Sequence, residues 1–391
     1  MTAAGASRRL QSLSWTARIT AFAVSCIALT AAVLLWPAPR IPLDASFPTK
    51  PTAAELAVLR DVYTRAPSTW PRPRLLPDAQ FTEMAALARH PQPEGDAREL
   101  ARLGAALFED PLLSASGHFS CQSCHNRRLG WGDGLPTSFG HGRAQGRRNA
   151  PSLFTVGYKS TFFWDGRATS LEEQALGPLV DSSEMANHDM AGLSERVNAT
   201  DRYRAAFAEL TGRETVGIDD VTAALAAFQR TLERRTRFDR FLEGDANALT
   251  DTQIWGLHLF RTKAGCANCH SGPTLSDGRF HNLGLSFFNR AREDLGRYEI
   301  TGDPKDAGRF LTPTLRHVGR TAPYMHNGIF PSLTGVVRLY EAGGGRVRAD
   351  QKLPTERQPL LDAVIVKSPQ LEPFELTEDE RAALVAYLQA L

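Results

Sequence analysis

The sequence has almost no excess of charge, with 45 lysine and arginine residues against 43 aspartate and glutamate residues and a net charge of +2. A nucleic-acid-binding protein needs a concentrated basic face, so this weak excess argues against that class. Hydrophobic residues make up 42% of the chain and charged residues 23%, which excludes wholesale disorder and collagen-like repetition. At roughly 150 residues per domain, the length of 391 residues predicts two or three domains.

No small-x-small cleavage site follows the long apolar run near the N-terminus, which spans Ile19 to Trp36. Arg8, Arg9 and Arg18 precede this run, whose length is close to the roughly 17 residues that a short membrane span requires. Basic residues before such a run predict a cytoplasmic N-terminus and a body outside the cytoplasm. We therefore expect residues 1–40 to form an uncleaved membrane anchor, with a cleaved signal segment as the alternative.

Residues 41–94 are rich in proline and predict a tether that contains one short helix. Thr52 and Glu55 have the spacing of a capping box, and apolar residues recur near helical spacing from there until Pro67.

The remainder of the chain contains an internal repeat without sustained strand alternation, which predicts an all-α fold. Each copy opens with a helix that carries a Gly-x-x-Leu-Phe sequence, at Gly104 and at Gly256. Each copy closes with an amphipathic helix, predicted over Asp219–Arg235 and Thr377–Leu391. The long loops between these helices need something to pack around, and a large prosthetic group would serve.

Cysteine is scarce, with five residues, yet four of them form two Cys-x-x-Cys-His sequences. A zinc ribbon would need the two pairs close together, and a dithiol or disulfide leaves both histidines unexplained. Covalent attachment of a c-type haem explains every residue, because two thiols bind the haem vinyl groups and the histidine reaches the iron. The expected attachment and proximal-ligand residues are Cys121, Cys124, His125, Cys266, Cys269 and His270.

From about residue 100 to the C-terminus, the chain resembles the bacterial diheme cytochrome c peroxidases and their relative MauG. The matching sequences, in chain order, are both Cys-x-x-Cys-His motifs, Gly140-His141, Arg148-Asn149-Ala150-Pro151, Phe163-Trp164-Asp165-Gly166-Arg167-Ala168, Gln174 with Pro178, Glu184-Met185 and Thr321 to Gly328.

The resemblance implies two class I cytochrome c-like haem domains, which we place over residues 95–244 and 245–391. In this family the N-terminal haem reacts with peroxide and the C-terminal haem passes electrons. The expected partners are hydrogen peroxide and a periplasmic electron donor such as a small cytochrome c, with no nucleic acid and with a homodimer left open.

The resemblance also implies roles for residues beside the N-terminal haem. Glu184 matches the catalytic glutamate, and a carboxylate in an apolar pocket would have the raised pKa that proton transfer to peroxide needs. His141 matches a reversible sixth iron ligand, while its alternative is an exposed loop residue. Trp164 matches a stepping stone for electrons, although a tryptophan is more often part of a core. Gln174 and Pro178 match residues that line the same pocket.

Asn149, Thr321 and Pro323 match a calcium site between the two domains. One side-chain amide oxygen and two backbone carbonyl oxygens are hard ligands that suit Ca²⁺. Without the resemblance, Asn149 would be read as a turn residue.

One position departs from the typical peroxidases of the family. Where these have a distal methionine at the C-terminal haem, this chain has Tyr340, which is similar to MauG; Met325 is the competing ligand. A phenolate favours oxidised iron, whereas a thioether raises the potential, so Tyr340 predicts a low-potential haem. We therefore predict a membrane-anchored, periplasm-facing diheme peroxidase. The alternatives are a MauG-like oxidase of a protein or organic substrate, and a diheme electron carrier without catalysis.

Overall fold

Two pairs of crossed helices, one in each half of the chain, organise the fold of this protein. The computed structural model describes residues 41–348 and 352–391, and this part of the chain is mainly helical, as predicted. In chain order its helices are α1 Ala53–Tyr63, α2 Gly95–Glu109, α3 Cys121–Cys124, α4 Leu171–Val180, α5 Met190–Asn198, α6 Asp201–Thr211, α7 Ile218–Arg230, α8 Arg237–Leu242, α9 Asp251–Arg261, α10 Tyr298–Thr301, α11 Leu333–Glu341, α12 Gln358–Ile365 and α13 Glu378–Leu388.

The glycine of each sequence repeat lies where two helices cross. A Cβ atom added to Gly104 on α2 would lie 1.8 Å from the carbonyl oxygen of Ala224 on α7. The equivalent atom on Gly256 of α9 would lie 2.1 Å from the carbonyl oxygen of Ala383 on α13. Only a residue without a side chain allows backbones to approach this closely. The two copies of the sequence repeat therefore form the same helix crossing.

The capping boxes expected from the sequence are present. The Thr52 hydroxyl accepts a hydrogen bond from the Glu55 backbone, and the Glu55 side chain accepts one from the Thr52 backbone, at the start of α1. Thr377 and Glu380 make the same exchange at the start of α13. The first closing helix spans Ile218–Arg230, so its N-terminus agrees with the prediction and its C-terminus lies earlier.

The segment that was predicted to be a tether packs against the second half of the chain. The Tyr63 hydroxyl lies 3.0 Å from Nδ1 of His258 on α9, and both side chains are buried. Arg60 donates to the carbonyl oxygen of Ala246 across 2.6 Å. Residues 43–391 consequently form one compact unit, which contains both Cys-x-x-Cys-His sequences.

The long loops between the helices also contain a small two-stranded sheet. Strands β1, Phe280–Asn282, and β2, Arg309–Leu311, pair antiparallel, with His281 opposite Phe310. The amide of Leu311 also donates to the carbonyl oxygen of Trp164 across 2.8 Å. The sheet therefore fixes the loop that carries Trp164.

None of the helices in the described ranges is long and apolar enough to cross a membrane. The anchor predicted over residues 1–40 lies outside those ranges.

Candidate functional site

The two Cys-x-x-Cys-His sequences share one backbone hydrogen bond. In each, the histidine amide donates to the carbonyl oxygen of the first cysteine across 2.9 Å: His125 to Cys121, and His270 to Cys266. The first sequence forms helix α3, and the second forms a single 3₁₀ turn. All four thiols are free of disulfide bonds.

Both imidazole rings are held in one orientation by a backbone carbonyl. Nδ1 of His125 lies 2.9 Å from the carbonyl oxygen of Trp131, and Nδ1 of His270 lies 3.0 Å from that of Leu275. Burial lowers the pKa of both histidines, because an imidazolium ion would lose its hydration. A neutral ring that donates through Nδ1 presents the lone pair of Nε2, as an iron ligand must.

Each motif borders its own mainly apolar cavity. The larger cavity brings together most of the residues that were predicted for the peroxidatic site. Its wall includes Cys121, Cys124, His125, Trp164, Gln174, Pro178 and Glu184.

Glu184 is held in this wall by a tight turn that follows α4. Its amide donates to the carbonyl oxygen of Asp181 across 3.0 Å. Burial raises the pKa of Glu184 to about 7, with a further contribution from the charge of Asp181, while Arg167 opposes the shift. The ionisation of this carboxyl group therefore falls near neutral pH, which suits general acid–base catalysis.

His141 lies next to this cavity rather than in its wall. Its amide donates to the carbonyl oxygen of Glu184 across 2.9 Å, and the neighbouring Gly140 does line the cavity. The imidazole Nδ1 is buried and has no hydrogen-bond partner in the described part of the chain. The structure thus brings His141 close to Glu184 through the backbone and leaves its Nδ1 without a partner among the described residues.

Trp164 lines both cavities. Its indole Nε1 donates to the carbonyl oxygen of Asn149 across 3.0 Å. The following residue, Asp165, is buried and accepts hydrogen bonds from Arg148 and Arg167. These contacts fix the Phe-Trp-Asp-Gly-Arg loop at the wall that separates the two cavities.

The second cavity contains both candidate distal ligands. Tyr340 on α11 and Met325 line it together with Cys266, Cys269 and His270. Burial raises the pKa of Tyr340, and negative charge on either cysteine would raise it further. Met325 sits in a left-handed backbone conformation with φ of 73°.

The three residues of the predicted calcium site also line the second cavity. Asn149 is fixed from three directions: its amide donates to the carbonyl oxygen of His326, its side-chain nitrogen to that of Leu135, and its own carbonyl accepts from Trp164. Its side-chain oxygen accepts no hydrogen bond within residues 41–348 and 352–391.

His326 is a residue to which the sequence analysis gave no role. It is 3% exposed, stacks on Phe310 with ring centroids 3.6 Å apart, and lies 6.3 Å from the ring of Trp164. Burial lowers the pKa of His326 to about 3, so its ring is neutral. The sequence marks His326 only as part of the Thr321 to Gly328 motif. Its position beside Trp164 depends on the fold.

Comparison with known proteins agrees with this arrangement. Residues 98–247 match the family described as di-haem cytochrome c peroxidase. The methylamine utilization protein MauG of Methylorubrum extorquens is 40% identical over 306 residues, which cover 77% of this chain and 80% of the relative. The chain belongs to the di-haem cytochrome c peroxidase family. Membership confirms the resemblance that the motifs indicated, and makes the protein an oxidoreductase of the peroxidase type with two c-type haems.

Other relatives of this di-haem family carry both peroxidase and MauG names. Cytochrome c551 peroxidase of Nitrosomonas europaea is 41% identical over 297 residues, which cover 75% of this chain and 80% of the relative. A solved structure of a MauG-like protein associated with microbial copper homeostasis has a TM-score of 0.67 and 33% identity, covering 82% of this chain and 93% of that chain.

The donor groups in both cavities fit a c-type haem. Each cavity places two free thiols and the Nε2 of a neutral, carbonyl-bound imidazole at one wall. The remaining walls are predominantly apolar, as a cofactor site requires.

Proposed function

We propose that this protein is a periplasm-facing diheme peroxidase that reduces hydrogen peroxide to water with electrons from a small cytochrome c or a similar donor. The observation that carries the proposal is the position of Glu184, whose pKa of about 7 belongs to a carboxyl group in the same cavity wall as Cys121, Cys124 and His125.

The overall reaction consumes one hydrogen peroxide, two protons and two electrons, and yields two water molecules. When bound, the N-terminal haem supplies the redox chemistry that cleaves the oxygen–oxygen bond. Glu184 accepts the proton from one peroxide oxygen and delivers it to the other, which then leaves as water. Arg167 borders the same cavity, and its charge favours the ionised form of Glu184. Gln174 and Pro178 complete the wall around the substrate.

Two further roles concern electron transfer between the cavities and the access of peroxide to the N-terminal iron. Trp164 carries electrons between the two haems, a role supported by its place in both cavity walls. His141 would be a reversible sixth ligand of the N-terminal iron, which is supported by its buried Nδ1, unpartnered within the described residues, and by its backbone contact with Glu184. The paired helix crossings at Gly104 and Gly256 support two class I cytochrome c-like domains, over residues 95–244 and 245–391.

Tyr340 would serve as the distal ligand of the C-terminal haem, which is supported by its place in the cavity wall that also contains Cys266, Cys269 and His270. A phenolate ligand would favour higher oxidation states of iron. This observation also favours a second candidate function, a MauG-like oxidation of a protein or organic substrate. Oxidising equivalents that persist after peroxide addition, and that reduced cytochrome c does not remove, would identify this second function.

A calcium ion bound by Asn149, Thr321 and Pro323 joins the elements around the second cavity. The support is chemical: an amide oxygen and two backbone carbonyl oxygens match the preference of Ca²⁺ for hard ligands, and all three residues line the second cavity. The N-terminal segment, residues 1–40, anchors the protein in the inner membrane, a proposal that rests on its sequence alone.

The direct test is the Glu184→Gln variant, assayed for peroxide consumption with reduced cytochrome c. Turnover should fall about 10²- to 10⁴-fold, the usual contribution of a general acid–base group. Haem content by pyridine haemochrome spectra should remain at two haems per chain. Glu195→Gln, at an exposed position on α5, is the matched control. Undiminished turnover in Glu184→Gln would refute the proposed function.

A further inference from the structure

Lys159 occupies a position that neither the peroxidase chemistry nor the haem motifs use. It follows a 3₁₀ turn, Val156–Tyr158, and its amide donates to the carbonyl oxygen of Val156 across 3.1 Å. Lys159 lines both cavities. The wall shared by the two cavities is otherwise neutral, since it consists of Asn149, Pro151, Ser152, Trp164, Leu311 and Pro313.

The Lys159 ammonium has no partner in the described part of the chain, where neither a hydrogen bond nor an ion pair engages it. Burial lowers the pKa of Lys159 to about 8, and no acidic side chain offsets this effect. Two other partly buried cations are paired with carboxylates. Lys263 lies 2.7 Å and 2.8 Å from the carboxylate oxygens of Glu380, and Arg148 binds Asp294.

Lys159 is half-buried in this structure, and a haem that fills either cavity would remove its ammonium group from water. Without an anion this would be unfavourable, so the position calls for negative charge from outside the polypeptide. Each haem that enters a cavity carries two propionate carboxylates, while its vinyl groups are fixed at the cysteines. We infer that Lys159 binds a propionate of each haem at the wall between the two cavities. This inference rests on the haem occupancy that underlies the proposed function.

A positive charge shared by both haems has a measurable consequence. It stabilises the reduced form of each iron centre relative to the oxidised form, because reduction removes one positive charge from the iron. Loss of the charge should therefore lower both midpoint potentials together. The charge-conserving variant Lys159→Arg separates this effect from a loss of structural support.

The experiment uses the full-length holoprotein with Lys159→Met, the charge-conserving Lys159→Arg, and Lys305→Met at an exposed site as the control. Two haems per chain are first verified by pyridine haemochrome spectra. Spectroelectrochemical titration then follows each haem separately. In Lys159→Met the ratio of reduced to oxidised haem at a fixed potential should fall roughly tenfold at both sites, or about 59 mV for each one-electron step.

Lys159→Arg should retain potentials close to those of the wild type, and Lys305→Met should not change them. A shift at one haem only, or at neither, would overturn the inference. If Lys159→Met loads haem incompletely, Lys159→Gln is measured in the same way. The titration needs no peroxide turnover, so failure of this inference is distinct from failure of the Glu184→Gln test.

Discussion

The backbone amide of His141 donates to the carbonyl oxygen of Glu184 across 2.9 Å. This bond joins the loop of the proposed reversible ligand to the turn of the proposed catalytic carboxylate. The neighbouring Gly140 tightens the contact, since a Cβ atom there would lie 2.2 Å from the carbonyl oxygen of Ser183 and 2.7 Å from Cα of Glu184. Movement of one segment must therefore displace the other.

Gly140→Ala should displace Glu184 and lower peroxide turnover. A misplacement of about 1 Å at a catalytic group can reduce the rate on the order of 10²-fold. Gly146→Ala is the control in the same loop, because its added Cβ atom would meet no atom closer than 3.6 Å. Steady-state assays of both variants, with equal haem content, test the prediction. Equal activity of Gly140→Ala and Gly146→Ala would contradict it.

The pH dependence of turnover should report the ionisation of Glu184. The carboxyl group must be ionised to accept the peroxide proton, and burial raises its pKa to about 7. The value of kcat/KM should therefore rise with pH through this region and decline about tenfold per pH unit well below it. Rates from about pH 5.5 to 8.5 measure this profile. The residual activity of Glu184→Gln should not depend on pH in this region. If the same pH dependence persists in that variant, the ionisation belongs to another group.

Replacement of Trp164 by phenylalanine should slow electron transfer between the two haems. The variant removes the indole that lines both cavities and its 3.0 Å hydrogen bond to Asn149. Stopped-flow spectra after peroxide is mixed with reduced protein should show slower oxidation of the C-terminal haem. Trp70→Phe, at a buried tryptophan outside both cavity walls, should oxidise at the wild-type rate. Equal rates in the two variants would exclude Trp164 as the route.

The Tyr340→Met variant should raise the midpoint potential of the C-terminal haem, because a thioether stabilises reduced iron more than a phenolate does. Met325→Leu should leave both its spectrum and its potential unchanged. Optical and EPR titration of the two variants separates the candidates. The reverse pattern, with a change only in Met325→Leu, would make Met325 the ligand.

Alanine at the helix crossings should destabilise the fold. At Gly104 and at Gly256 the added Cβ atom would overlap a backbone oxygen of the partner helix, at 1.8 Å and 2.1 Å. Overpacking of this kind costs about 1–3 kcal/mol in the free energy of unfolding. Chemical denaturation of each variant with intact haem measures the loss, and Gly146→Ala again provides the control. A change below about 0.5 kcal/mol in both variants would be inconsistent with the tight crossings.

Local sequence patterns predicted the features that depend on neighbours in the chain. The capping boxes at Thr52 and Thr377 formed because their partners lie three residues away. The segment 41–94 was harder to interpret, because its high proline content says nothing about the long-range contact between Tyr63 and His258. The pairing of β1 with β2 was missed for the same reason, since each strand is only three residues long.

The sequence by itself determined the chemistry available to this protein: two sets of haem-binding thiols and imidazoles, the motif that contains Glu184, and the family to which the chain belongs. These are matters of residue type and spacing. Only the tertiary structure decided that Trp164 and Lys159 share a wall between two cavities and that His326 stacks beside Trp164. It also decided that burial raises the pKa of Glu184 to about 7. Such properties arise from distant segments that exclude water around one another, and no local sequence pattern encodes them.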